Sequence, residues 1–570
     1  MLEGLEISVL LKSELEFENK TKRFDSEYLQ KYYLQNIETI RLNKSGFYKL
    51  SESVLHLSGG ATPLGAEYEH EGIPFIRVQN IMQNFFNLND VVYINTKQDE
   101  EIKRTRLKER DVLLTITGVS YGKSAVVTKG LINANINQHS VKITLNKGLN
   151  PYFLSTFLNC KYGKLQSDKN IIGVTRPALD YEVIRNFLIP KLPALFQLNI
   201  EKLIVQSQVL IEQSQQAYTR AEQILLFEIG LLGNDDAGYT ELNIGDWVSD
   251  DPIEQMLANQ IPGVKEELEL LEADWDNTIA EQDRLKTIVD YEGQIAHFQK
   301  NIERLENLND LIAEKTIQLK FIYNNKNLVN LWLAERKNVN VKSFKESFIK
   351  TGRLDAEYYQ KKYEAYENLI INYKNGSETL AFACDLNDKN LNLLDNTLYK
   401  YIELSNVGNS GEVNACTEEL GKNLPSRARR KVNTGDVAIS SIEGSLQSCA
   451  VIPQAYDNAL CSTGFYVIKS KKVNSETLLV LFKSAPMQAI LKQNCSGTIL
   501  TALNKEDFKN IPIPLLDIGI QQQIAALVEN SFLLKSESER LLEVAKKAVE
   551  IAIEQDEAAA MAYIKDSVKE

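Results

Sequence analysis

"GVTRPALDYEVIRNFLIPKLPALFQLNIEKLI" runs from Gly173 to Ile204, and "GTILTALNKEDFKNIPIPLLDIGIQQQIAALV" runs from Gly497 to Val528. At a constant offset of 324, Gly173, Ala178, Leu179, Glu182, Asn186, Ile189, Pro190, Gln197 and Ile200 each meet an identical residue. Working outward, "RDVLLTITGVSYGKSAVVTKG" around Asp111 answers "GDVAISSIEGSLQSCAVIPQA" around Asp436 at an offset of 325. Further out, "RFDSEYLQKYY" from Arg23 answers "RLDAEYYQKKY" from Arg353 at an offset of 330. A fixed order with a drifting offset is what duplication leaves once loops change length. The chain therefore holds two copies of one design.

Each copy is expected to open on a short helix, Asp25 to Tyr33 and Asp355 to Tyr363. There an aspartate caps the start, Glu27 and Lys31 stand four apart, and tyrosines pack. An apolar run, a glycine-containing turn and a second apolar run predict a hairpin in each copy. The prolines of "IPKLP" and "IPIP" remove backbone donors and halt a strand. A long amphipathic helix follows each copy. One carries Ile200, Leu203, Ile204, Val209, Leu210, Ala221, Ile224 and Leu225; the other carries Ile524, Leu527, Leu533, Leu541, Leu542, Ala545 and Val549. Two such stripes are most simply buried against each other.

Between the copies lies extra material. A turn-rich acidic linker precedes a heptad-like stretch through Leu285, Ile288, Ile295, Phe298, Ile302, Leu305 and Ile312, which predicts a further coiled coil or hairpin. The fold class expected is α+β: two tandem mixed α/β modules joined by long antiparallel coiled-coil helices, plus an acidic helical insert. The expected boundaries are 1–195, 196–232, 233–338, 339–518 and 519–570.

The chain has 570 residues and a net charge of −13. Residues 235–326 hold 21 acidic and 8 basic residues, a balance of −13, and the rest holds 56 of each sign. The acidity belongs to the insert, so the two copies are not excluded from binding nucleic acid. Six scattered cysteines without a CxxC pair argue against zinc ribbons and disulfide scaffolds and fit a reducing cytoplasm. Four histidines form no ligand spacing, so a catalytic metal site is not expected. No apolar run approaches the ~20 residues that span a bilayer. The N-terminus lacks the basic start and cleavage site of a signal peptide.

Catalytic signatures are missing. "NPYF" at Asn150 is a poor match to the tetrad of amino methyltransferases, and no glycine-rich turn for a methyl donor is present. "TGVSYGKSA" at Thr117 imitates a phosphate loop, but only three residues separate Gly118 from Gly122, and a strand-like run follows where a helix N-terminus should hold the phosphate.

The chain resembles the specificity (S) subunit of type I restriction–modification systems. The resemblance is carried by "SGGATP" at Ser58, "GIPFIRVQNI" at Gly72, "DVLLTITGVSYGKSAVV" at Asp111, "NINQHSVKI" at Asn135 and "IPIPLLDIGIQQQIAALV" at Ile511, and it covers most of 1–232 and 340–560. It implies a non-catalytic DNA-binding subunit, with each module a target-recognition domain reading half of a split site in double-stranded DNA. The paired helices would set the spacing and dock two methyltransferase (M) subunits, which bind S-adenosylmethionine. Motor-nuclease (R) subunits using ATP and magnesium would complete the complex; no cofactor binds this chain directly. The insert departs from the family's usual plan. A structural adaptor that grips proteins through its duplicated modules is the alternative.

Base edges are read by Arg, Asn, Gln, Ser and Thr, and phosphates by Lys, Arg and small polar groups. The DNA-contact candidates in the first module are Arg77, Gln79, Asn80, Thr117, Ser120, Tyr121, Lys123, Asn137, Gln138, His139 and Arg176. Those in the second are Arg427, Arg429 and Arg430 in "SRARRK", Glu443, Ser445 and Gln447 in the matching turn, and Thr498 and Thr501 in the late loop. The bland reading of each set is a salt bridge, a structural loop or a solvated face.

Overall fold

The computed structural model describes residues 23–229 apart from 24, 64, 66–67, 70, 89 and 172–177, then 269–280 and six positions between 304 and 312, then 342–568 apart from 350 and 497–500. The chain forms two compact units: Met1–Gln213 with Leu533–Glu570, and Ser214–Phe532.

In the first unit the strands are β1 (Phe47–Lys49), β2 (Val54–Gly59), β3 (Ile73–Ile76), β4 (Val92–Ile94), β5 (Val112–Thr115), β6 (Ser124–Val126), β7 (Asn135–Ile136), β8 (Ser140–Leu145) and β9 (Leu188–Pro190). A four-stranded sheet has the order β2-β8-β5-β6, and a three-stranded sheet the order β4-β3-β7. β3 and β7 run parallel, with Phe75 opposite Asn135. β1 and β9 pair separately, with Tyr48 opposite Ile189. The apolar run of β5 is explained by two cores: Val112 and Leu114 face the helices, while Leu113 faces Ile76, Ala125 and Ile136. A strand buried on both faces has no polar alternation.

The second unit repeats this plan, with four strands in place of three in its second sheet, in the order Thr417–Leu420, Leu398–Ile402, Leu460–Ser462, Ala428–Lys431. Its main sheet has the order Cys384–Asn387, Phe465–Ser470, Val437–Ser440, Cys449–Val451. Val437 and Ile439 enter the helical core, and Ala438 enters the second one. The expected hairpins are Val112–Thr115 with Ser124–Val126 and Val437–Ser440 with Cys449–Val451. Asn150, the start of "NPYF", caps the helix Pro151–Asn159, as Asn474 caps Ser475–Lys483.

The opening helices differ from expectation. They span Lys31–Arg41 and Lys361–Ile371, six residues beyond the aspartates. Asp25 Oδ1 and Asp355 Oδ1 each accept the N–H of the tyrosine three residues on, at 3.0 Å, closing a turn before the helix starts.

The two long helices are Ala194–Glu228 and Ile518–Glu554, of 35 and 37 residues. At ~1.5 Å per residue they are about 52 and 55 Å long. In the first unit Leu203 and Ile204 share a core with Leu541, Val544, Ala545 and Ala548. In the second, Ala221 and Leu225 share one with Ile524 and Val528. Buried serines join the helices. Ser538 Oγ donates to Ser207 O at 2.8 Å in the first unit, and Ser214 Oγ to Ser531 O at 2.8 Å in the second. Residue numbers rise along one helix as they fall along the other, which is antiparallel pairing. Leu533, expected in the stripe, is 70% exposed.

A glutamine latches each long helix to its module. Gln197 Oε1 accepts Asn150 N–H at 2.9 Å and its Nε2 donates to Leu192 O at 2.8 Å. Gln521 does the same with Asn474 N–H and Leu516 O, both at 2.8 Å. Within the insert, residues 269–280 are helical, and Glu272 pairs with Arg220 Nη2 at 2.7 Å. The linker and the heptad positions Leu285, Ile288, Ile295, Phe298 and Ile302 lie outside the described residues, while Leu305 and Ile312 are buried.

Candidate nucleic-acid interface

The β5–β6 turn carries Thr117 to Lys123. Gly118 and Gly122 sit at φ 76° and 83°, where a side chain would be strained. Gly122 N–H donates to Thr115 O at 2.8 Å, and Thr115 Oγ1 donates to Ser120 O at 2.6 Å. This leaves Val119 at the tip, 99% exposed. The 137–139 loop lies alongside. Ile116 N–H donates to His139 O at 2.9 Å, and Thr117 Oγ1 is 2.7 Å from His139 Nδ1. Thr62 Oγ1 hydrogen-bonds Gln138 Oε1. That contact depends on Gly60 in "SGGATP", where a methyl group would overlap the carbonyl oxygens of Ile136 and Asn137. Thr117 forms a bridge with Ala178, and Leu179 N–H donates to Ile116 O at 2.9 Å. Thr117, Gln138 and His139 are thus brought together with Thr62. Arg176 lies outside the described residues. A strand, not a helix, follows the turn, so it lacks the architecture of a phosphate loop.

The other first-unit candidates are engaged by groups of their own unit; Gln79 stays exposed, Arg77, Tyr121 and Lys123 are half-buried, and Asn80 and Asn137 are buried. Burial pushes Tyr121 up to about 12, with the Asp168 carboxylate adding to the shift, and Lys164 Nζ lies 3.7 Å from its ring centroid. Asn137 is buried and accepts His139 N–H at 3.2 Å, shaping the loop. Lys123 is half-buried, with Nζ 3.9 Å from Met82 Sδ. Arg77, Gln79 and Asn80 converge on one residue. Arg77 Nη2 donates to Asp90 O at 2.6 Å, Gln79 Nε2 to Asp90 Oδ2 at 2.7 Å, and Asn80 Nδ2 to Asp90 Oδ1 at 2.6 Å. Asn80 is fully buried and also accepts Arg77 N–H at 2.9 Å, so its amide is used to shape the turn and does not reach outward as expected. The second unit repeats that turn with Glu403 N–H donating to Asn406 Oδ1 at 2.7 Å.

In the second unit Ser441 N–H donates to Gly464 O and Leu503 N–H to Ser441 O, both at 2.8 Å. Ile442 forms a bridge with Ala502, and Glu443 N–H donates to Thr501 O at 3.1 Å. Ser445 Oγ is 3.0 Å from Ser440 Oγ, and Gln447 is exposed. Glu443, Ser445, Gln447 and Thr501 therefore share one surface; Thr498 lies outside the described residues. Of the arginines, Arg427 pairs with Glu403 at 3.2 Å. Arg430 turns inward, donating to Phe465 O beneath the Tyr466 ring. Arg429 is exposed on the edge strand Ala428–Lys431; its carbonyl accepts Leu391 N–H at 2.8 Å, and its guanidinium makes no hydrogen bond or ion pair among the described residues.

Against known families, the profile described as "Type I restriction modification DNA specificity domain" matches residues 44–209 and again 382–544. The chain belongs to this family. It is a DNA sequence-specificity subunit of a type I restriction–modification system, a recognition component that works with the system's other subunits. The matches cover the hairpin turns of both units. No curated protein matches the chain. Solved structures similar to it include the S subunit of a type I restriction–modification system from M. genitalium, at 10% identity, 90% of this chain, 97% of that chain and a TM-score of 0.33. The HsdS subunit from Thermoanaerobacter tengcongensis gives 13% identity, 90% and 96% coverage and a TM-score of 0.24. A chain from a type I R-M system described for its complex assembly and conformational transition gives 15%, 90%, 97% and 0.23.

Two contributors to these surfaces escape a reading of the sequence. Thr62 is signalled only by the Gly59-Gly60 pair before it, the mark of a close backbone approach. Val119 looks like one more apolar residue between two strands, and only the paired left-handed glycines put it at a tip. Among the described residues no helix is long and apolar enough to cross a membrane, and no cluster of His, Cys, Asp or Glu could hold a metal ion.

Proposed function

We propose that each unit reads one half of a bipartite duplex site, and that the long helices set the distance between the halves and dock two methyltransferase subunits. S-adenosylmethionine, ATP and magnesium act in the partner subunits, with motor-nuclease subunits completing a restricting complex. The observation that carries this reading is one backbone arrangement, a hairpin turn bridged to a late alanine, with different side chains in the two copies. Thr117 pairs with Ala178, and Ile442 pairs with Ala502. At an offset of 325 the first unit offers Gly118, Lys123, Gln138 and His139 where the second offers Glu443, Ser448, Thr463 and Gly464. A shared frame with unlike side chains supports two readers of unlike sequence.

In the first unit Gln138 and His139 supply base-edge groups held in place by Thr62 and Thr117; in the second Glu443 and Ser445 do so, Glu443 as an acceptor toward cytosine. Arg429 supplies phosphate contact. The experiment is a selection from randomised duplex DNA by the full chain with its methyltransferase. Enrichment of two short motifs at one fixed separation is the expected result; enrichment of a single motif, or of none, refutes the reading.

A further inference from the structure

One side-chain clamp is built twice, outside the sheets. In the first unit Arg23 Nη1 donates to Ile171 O at 2.8 Å and Lys169 O at 3.4 Å, at the end of the helix Lys161–Asn170. Its Nε and Nη2 hold the two carboxylate oxygens of Asp25 at 2.7 and 2.6 Å, and the Tyr28 ring centroid lies 5.3 Å from the guanidinium. In the second unit Arg353 Nη1 donates to Cys495 O at 3.2 Å and Gln493 O at 3.3 Å, at the end of the helix Ala485–Gln493. Its Nε and Nη2 hold Asp355 at 2.8 and 3.1 Å, with Tyr358 at 4.3 Å. The arginines are offset by 330 and the carbonyls by 324, so the contact is the same although the intervening chain differs by six residues. The last carbonyls of a helix lack partners within it, and a cation there complements the helix dipole. The guanidinium fork holds a carboxylate on one edge and keeps N–H groups for carbonyls on another.

What the clamp seats is visible in the second unit. Cys495 opens the strand Cys495–Ser496, which pairs with Ala502–Leu503, Cys495 opposite Leu503. Ala502 bridges Ile442, and Thr501 O accepts Glu443 N–H at 3.1 Å. Arg353 is therefore tied through one short ribbon to the turn that carries Glu443 and Ser445. In the first unit the clamped Ile171 lies seven residues before Ala178, which bridges Thr117.

We infer that Arg353 with Asp355, and Arg23 with Asp25, are positioning pairs for base readout. Arg353 seats the strand pair beside the Glu443 turn, Arg23 anchors Ile171 ahead of the Ala178 bridge to Thr117, and neither touches DNA. The inference rests on the half-site reading above. The test repeats the randomised-duplex selection, with the full chain and its methyltransferase, for wild type, Arg353→Ala, Arg353→Lys, Asp355→Asn and Arg23→Ala. Arg353→Ala is expected to flatten base preference about tenfold at one half-site and leave the other unchanged. Arg23→Ala should do the converse. Arg353→Lys should recover part of the preference, because an ammonium can donate to the same carbonyls. Asp355→Asn frees the arginine without removing it and carries the test if Arg353→Ala fails to fold. A uniform loss of binding with both base preferences intact would show a merely structural clamp and overturn the inference, as would flattening of both halves by one variant. A wild-type selection without a bipartite motif overturns the half-site reading, and this inference with it.

Discussion

Replacing Gln521 by methionine keeps the side chain's length and removes its hydrogen-bonding end. Gln521 and Leu516 are buried, and the amide joins Asn474 N–H to Leu516 O at 2.8 Å each. Its Nε2 also reaches Lys472 O at 3.3 Å. The variant leaves at least one donor and one acceptor inside the fold without partners. Each such group costs about 1–3 kcal/mol, and partial relaxation brings the pair to about 2–4 kcal/mol. For a unit of this size 1 kcal/mol moves the melting temperature by about 2–4 °C, so the drop is about 4–16 °C. Calorimetry of the full chain checks it, because two compact units need not melt as one and the transition that moves identifies the unit. Amide hydrogen exchange at Asn474 should quicken in parallel. Gln522→Met, one residue on and exposed, is the control and should stay within about 0.5 kcal/mol of wild type. If Gln521→Met melts with that control, the latch is not holding the helix to the module, and the long helix does not carry a rigidly seated reader.

Gly60→Ala places a methyl group onto the carbonyl oxygens of Ile136 and Asn137. It should cost about 1–3 kcal/mol by overpacking and relax base preference in one half-site, read by thermal melting and by selection from randomised duplexes. Arg429→Ala should weaken binding to all sequences alike and reduce the slope of log affinity against log salt by about 1, measured by titration at several salt concentrations. The Arg23 guanidinium holds the Asp25 carboxyl down to about 2, from an ordinary 3.8. A carboxylate with a lowered folded pKa contributes stability that is full above its unfolded value and lost as pH falls through the folded one. Wild type should therefore exceed Asp25→Asn in stability above pH 4 and converge on it toward pH 2, followed by urea melts across that range; a constant difference would refute the pairing.

The duplication, the hairpins, the long helices and the family were all legible in the chain. They rest on periodicity, turn residues and repeated motifs, which are local and survive in one dimension. The start of the opening helix was misplaced by six residues because Asp25 caps a turn onto Tyr28 and its arginine reaches carbonyls 146 and 148 residues away. The same limit governs the candidate surfaces. Asn80 and Arg430 carry base-reading side chains, yet the Asp90 carboxylate and the Phe465 carbonyl take them up. Gln138 and His139 face outward beside Thr62 and Thr117, neighbours that only β-sheet register brings together. Tertiary structure alone also decided that Leu533–Glu570, the last stretch of the chain, completes the first unit. An apolar helix stripe says that a surface must be buried but not against which partner, because burial of apolar area is non-directional and any matching face satisfies it.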